Sequence, residues 1–286
     1  MLIIDLSPNA AISPGDLPNI ILSRLDYDKD QAQIDVANNY RLAGTFSLED
    51  QERCIHVINS LQLAAWVKAP TSTALVVNGN SSKIQRRSPW SFIAAKLVIA
   101  LDQMREKVTE NKDRIAAIHF FCGEHTDPDD KRNTPCSIVN SLLGQLLSCF
   151  KHVDLTDVIK LGDFNSTDMD AVCTRFECAL KQLPAISLVF CIIDSLPFYL
   201  TASDKRTSKQ AHRLIQWLIE LTHRLRDSEE CTFKLLLTAP LQFRTSEIAK
   251  LNDDEMLNLP TKLPKTGGFT DVKWELGVGS RVEELA

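Results

Sequence analysis

No stretch of this 286-residue chain approaches the ~20 consecutive apolar residues that a membrane-crossing helix needs. The opening residues, Met1-Leu2-Ile3-Ile4-Asp5-Leu6, have neither a cationic start nor a long apolar core. A cytoplasmic protein without a membrane partner is therefore expected. Positive charge is also short: 32 Lys and Arg against 37 Asp and Glu leave a formal charge of -5, so no global attraction for nucleic acid is expected. Glycine is sparse, and none of the 10 builds G-x-G-x-x-G after a strand or a G-x-S-x-G elbow. That sets aside the usual dinucleotide fingerprint and the common α/β-hydrolase nucleophile. The cysteines Cys54, Cys122, Cys136, Cys149, Cys173, Cys178, Cys191 and Cys231 are scattered, several within apolar runs. Free thiols in a reducing compartment fit that scatter better than a disulfide framework. His119, Cys122, His125 and Cys136 bring nitrogen and sulfur donors close in sequence, but no C-x-x-C pair accompanies them, and a zinc site is set aside.

What the chain has is 44% hydrophobic and 24% charged residues, enough to bury one substantial core. Its apolar residues alternate between two periods. Thr73 to Gly79 is a short apolar run closed by glycine, as expected of a strand buried on both faces. Ser88-Pro89 then opens a helical face through Trp90, Ile93, Ala94, Leu97, Val98, Leu101 and Met104, with Ser88 as N-cap. Arg114 to Cys122, Ser187 to Asp194, Phe233 to Thr238 and Glu255 to Leu259 read as further strands. Segments 48–69, 134–150, 168–183 and 209–226 read as helices. Strands separated by helices imply right-handed crossovers and an α/β fold, a parallel sheet between helix layers. Residues 1–47 read as an irregular extension with one short element, 48–260 as the α/β domain, and 261–286 as a tail whose Trp274 packs back.

In an open parallel sheet, ligands gather at the carboxyl ends of strands. Three pieces stand there. The first is the loop Gly79-Asn80-Ser81-Ser82-Lys83-Ile84-Gln85-Arg86-Arg87-Ser88, placed where a phosphate loop would run into a helix N-terminus. It lacks the second glycine and the Gly-Lys pair of G-x-x-x-x-G-K-[ST]. An insertion would let Arg86-Arg87-Ser88 replace Gly-Lys-Ser, with Arg87 facing phosphate and Ser88 or Ser91 near a metal. The alternative is a solvated polar loop. The second piece is Asp194, an acid ending the most apolar strand, where it suits the water shell of Mg²⁺ or merely caps a turn. No second acid follows it among Ser195, Leu196, Pro197, Phe198 and Tyr199. The third is Thr238, a hydroxyl at the end of its strand, placed to sense a terminal phosphate or to satisfy backbone groups.

Leu75-Val76-Val77-Asn78-Gly79-Asn80, Phe120-Phe121-Cys122-Gly123, Ser141 to Leu147, Ile192-Ile193-Asp194-Ser195 and Lys234 to Thr238, with Trp66 upstream, resemble the fungal NACHT/STAND-like P-loop domains related to the nephrocystin-3 N-terminal domain. The resemblance spans about residues 48 to 260. It implies a three-layer αβα fold, ATP or GTP with Mg²⁺ as the ancestral ligand, and signalling by nucleotide-controlled assembly with protein partners. It carries Gly79 to the start of the phosphate loop, Asp194 to the magnesium acid and Thr238 to the sensor. The missing Gly-Lys pair and second acid depart from active members. The expected function is thus a degenerate, non-catalytic or weakly nucleotide-binding interaction module, with an active hydrolase using a rearranged loop as the alternative.

Overall fold

The computed structural model describes residues 17–285, apart from 26, 82–84, 108–113, 151–152, 165, 242 and 244–249. Five strands, β1 (Thr73–Asn78), β2 (Ile115–Phe121), β3 (Leu188–Asp194), β4 (Thr232–Ala239) and β5 (Met256–Asn258), pair in parallel in the order β2-β3-β4-β1-β5. Every residue of β2 is buried, as are all but the first of β1, β3 and β4. That is why these runs are mostly apolar rather than alternating, with His119 of β2 and Lys234 of β4 among the buried exceptions.

Alternate residues feed two cores. Leu75, Val77, Phe190, Ile192 and Leu236 point to the face covered by α3 (Leu48–Ile58), α4 (Leu61–Lys68) and α5 (Pro89–Lys107). Ala74, Val76, Val189, Cys191 and Leu235 point to the face covered by α1 (Leu17–Arg24), α6 (Pro135–Cys149), α8 (Met169–Lys181) and α10 (Lys205–Arg226). The result is the three-layer αβα sandwich that the strand-helix alternation implies. Segment 48–69 is two helices rather than one. Asn59 closes α3, and the Ser60 hydroxyl accepts from Leu63 N at 3.2 Å to cap α4, so a local hydroxyl outcompetes continuation of the helix. Two shorter helices, α7 (Thr156–Lys160) and α9 (Pro197–Leu200), fall in connections that the periodicity left blank.

The amino-terminal region is more ordered than its composition suggests. Besides α1 it holds α2 (Lys29–Tyr40), capped by Asp28, whose side chain accepts from Asp30 N and Gln31 N. Helix α2 buries only Asp35, Val36 and Asn39, so it has little apolar periodicity to announce it. It lies beside β2, the edge strand. Gln145 of α6 covers that edge: its amide accepts from His119 N at 3.0 Å and donates to His119 O at 2.7 Å, imitating a neighbouring strand. The His119 ring reaches Ala32 O of α2 at 3.1 Å.

The carboxyl-terminal segment folds back over α3 and α5 through α11 (Asp271–Trp274), a π-helical turn at Glu275–Gly279 and α12 (Ser280–Glu283). Trp274 is buried there, and Lys96 sits 5.2 Å from its ring centre while pairing with Asp271 at 2.7 Å. The Glu52 carboxylate of α3 accepts from Gly267 N at 2.9 Å, Gly268 N at 3.0 Å, Thr266 N at 2.7 Å and the Thr266 hydroxyl. Both glycines have positive φ, 91° and 77°, which turns their N-H groups inward to one anion. Among the described residues, no helix is long and apolar enough to cross a membrane.

Candidate functional site

Register places the central acid. Asp194 ends β3 directly opposite Thr238 of β4, and Phe121 of β2 faces it from the other side. The Thr238 hydroxyl donates to Asp194 Oδ1. Asp194 Oδ2 takes a second hydroxyl, Ser91 Oγ, at 2.7 Å from the first turn of α5. Ser91 is in turn held by Ser88: the two oxygens are 3.1 Å apart, and Ser88 Oγ accepts from Ser91 N at 3.3 Å. Ser88 therefore caps the helix, as its sequence position implies, and reaches Asp194 only through Ser91. All four side chains belong to residues no more than 3% exposed. Burial pushes the Asp194 carboxyl up, hydroxyl donation from Thr238 and Ser91 offsets part of this, and the group settles at about 6. Ser195 follows in the left-handed region at φ 61°, its N-H bonded to Thr238 O at 2.9 Å, which turns the chain away from the sheet end.

The loop between β1 and α5 is fastened to the protein at several described positions. Gly79 N donates to Ala239 O at 2.7 Å, and Arg53 Nη1 of α3 donates to Gly79 O at 3.0 Å. The Trp90 indole lies so close to Gly79 that a Cβ has no room there. Glycine is thus required at 79 by an aromatic ring. Asn80, at φ 55°, sends its amide to Leu259 O at 3.0 Å, tying the loop to the exit of β5. The Arg86 backbone abuts Gly123 so tightly that no side chain fits at 123. Arg87 does not face the end of β3. It forms a two-pronged pair with Glu124, Nε to Oε1 at 2.7 Å and Nη2 to Oε2 at 2.8 Å. Lys83, the remaining cation expected in the loop, lies outside the described residues.

Gly79, Asn80, Ser88, Thr238 and Asp194 thus gather at the carboxyl ends of β1, β3 and β4, whereas Arg86 and Arg87 are turned toward the loop after β2. Three anchoring residues escaped the sequence reading. Trp90 looks like an ordinary core residue of the helical stripe, and Arg53 lies on a helix remote in sequence. Glu124 carries a usable signal, since it is an acid just past a strand end, facing a basic loop.

Each Asp194 oxygen accepts one hydroxyl, from Ser91 or Thr238, and keeps a further lone pair on which the water shell of a Mg²⁺ ion could be held. The Trp90 ring fills the side of Gly79 where a Cβ would stand, and a phosphate reached by Arg87 would have to draw it from Glu124. Among the described residues, the loop glycine and Arg87, both expected at phosphate, are thus engaged within the protein. Among the described residues, no group of three or more His, Cys, Asp and Glu is placed to hold a metal. His125, weighed above as a zinc donor, instead lies between Asp35 and Asp130. No family model, curated protein or solved structure matches the chain.

Proposed function

We propose that this chain is a degenerate NACHT/STAND-like domain that has given up nucleotide chemistry and acts through protein contacts. The observation that carries this reading is the burial of Asp194 against this protein's own hydroxyls. Both of its oxygens receive protein hydroxyls, and its raised pKa marks a site that disfavours the charged form a metal needs. Two further features support it. Trp90 occupies the space against Gly79, and Arg87 is committed to Glu124. Helix α5 still directs its N-terminus to the sheet end, but its first turn is spent on Ser88 and Ser91.

Calorimetric titration with ATP and GTP in the presence of Mg²⁺ tests the reading. No heat of binding up to millimolar nucleotide is expected; micromolar binding lost in Asp194→Ala would overturn it. The second reading, an active hydrolase, is favoured by one specific feature: the Ser91 hydroxyl beside Asp194 is the type of serine and acid pair that holds Mg²⁺ in phosphate-loop enzymes. That reading requires phosphate release that disappears in Arg87→Ala. The proposed reading predicts none from either protein.

A further inference from the structure

His125, just beyond β2, is 2% exposed, and both ring nitrogens meet carboxylates. Nδ1 is 2.7 Å from Asp130 Oδ2, and Nε2 is 2.9 Å from Asp35 Oδ2. A neutral imidazole has one N-H and cannot donate to two carboxylates; the imidazolium has two and can. One proton therefore joins α2, which carries Asp35, to the loop after β2, which carries Asp130. The next turn of α2 continues the contact, because Asn39 Nδ2 donates to Glu124 Oε1 at 3.1 Å, and Glu124 is the partner of Arg87. Helix α2 also walls a cavity of about 310 Å³ along the β2 edge, shared with Arg105, His119 and Cys149.

We propose that α2 is a cover fastened by a proton: with His125 charged it is latched over the β2 edge and the Arg87 loop, and when that proton leaves it is released.

The surroundings decide the direction. Asp35 and Asp28 face the latch from α2, with Gln31 Nε2 held on Asp35 Oδ1 at 2.7 Å. Asp130 and Arg132 face it from the loop after β2, Arg132 N donating to Asp130 Oδ1 at 2.9 Å. Tyr199 of α9 donates to His125 O at 3.3 Å. From β2, the Phe120 ring lies tilted at 4.9 Å, and nearby His119 has its own pKa lowered by burial. Glu124 and Arg87 neutralise each other at the rim. Burial would lower the His125 pKa, but hydrogen bonds and charge from Asp35 and Asp130 hold it above its ordinary 6.5. A raised value means that the latch is fully present below about pH 6.5 and is lost as pH rises through the value in the folded state. Removing the proton leaves one imidazole N-H between buried Asp35 and half-buried Asp130, so one of the two loses its bond to His125.

The test is hydrogen exchange of the full chain from about pH 6 to 9, corrected for intrinsic rates, comparing α2 peptides with α10 peptides. Above about pH 6.5 the α2 protection should fall with rising pH, by up to tenfold per pH unit, while α10 stays level. In Asp35→Asn, where one carboxylate is removed, the α2 profile should flatten. Should that variant fail to fold, the wild-type profile decides alone. Protection of α2 that tracks α10 across this range, or a His125 imidazole that NMR shows titrating below 6.5, overturns the proposal.

Discussion

Glu52 and Asp194 both expose little surface, 4% and 1%, but Asp194 lies deep in the protein and Glu52 under a thin cover, and they differ also in what donates to them. Asp194 receives two hydroxyls, which only partly offset its burial, so the carboxyl is pushed up to about 6. For Glu52 burial pulls in the same direction, but the Thr266 hydroxyl and the backbone N-H groups of Thr266, Gly268 and Gly267 overcome it, and the carboxyl drops to about 2. Converging backbone N-H groups are the device by which glycine-rich loops hold phosphate. In this chain that device stands at Gly267-Gly268 and closes on an internal glutamate. The loop after β1, where the resemblance expects it, carries side-chain anchors instead.

The comparison predicts its largest effect at Glu52. Glu52→Ala leaves three backbone donors without their acceptor and should cost about 3 kcal/mol in urea unfolding, with early proteolysis of the carboxyl-terminal segment. The wild-type contribution is present above the unfolded carboxyl value near 4.5 and is lost as pH falls toward about 2. Asp194→Ala strands the Ser91 and Thr238 hydroxyls and should cost about 2 kcal/mol. Asp194→Asn removes the charge while keeping one hydroxyl acceptor and putting an N-H donor in place of the other, and it separates the two carboxylates more sharply. Because the Asp194 pKa is raised, its stabilising effect is complete below 3.8 and fades as pH rises through about 6. Stability measured for Asp194→Asn relative to wild type should therefore improve by about 2 kcal/mol between pH 4 and pH 7. A constant difference would show that Asp194 is not a strained buried acid. The smallest effect belongs to Arg87→Ala, below about 1 kcal/mol, since the Arg87 side chain is 45% exposed beside Glu124.

Much of this architecture is legible from residue order. The four longer strands are largely apolar runs, broken within by His119 in β2 and Lys234 in β4, and Ser88-Pro89 marks a helix start by capping chemistry alone. Thr238 and Asp194 could be placed at strand ends because each closes such a run. Their adjacency needs the β3–β4 register, which sequence does not contain. Helix α2 was hidden because its buried face is largely polar: Asp35 and Asn39 are buried for hydrogen bonds to His125 and Glu124, remote in sequence. Arg87 has a similar history. A cation in a loop reads equally as solvated or phosphate-facing, and only the position of Glu124 shows where it goes. Glu52 gave no signal at all, because a helical glutamate looks exposed until Gly267 and Gly268 fold onto it.

The central proposal is that Asp194 serves hydroxyl groups of this protein rather than a metal. Carbon-13 NMR of the Asp194 carboxyl, titrated with and without Mg²⁺ and ATP, measures this directly. The account predicts a midpoint at about 6 that Mg²⁺-ATP leaves in place. A midpoint drawn down by a unit or more when Mg²⁺-ATP is added would contradict it, because only a cation brought beside the carboxylate favours its charged form that strongly.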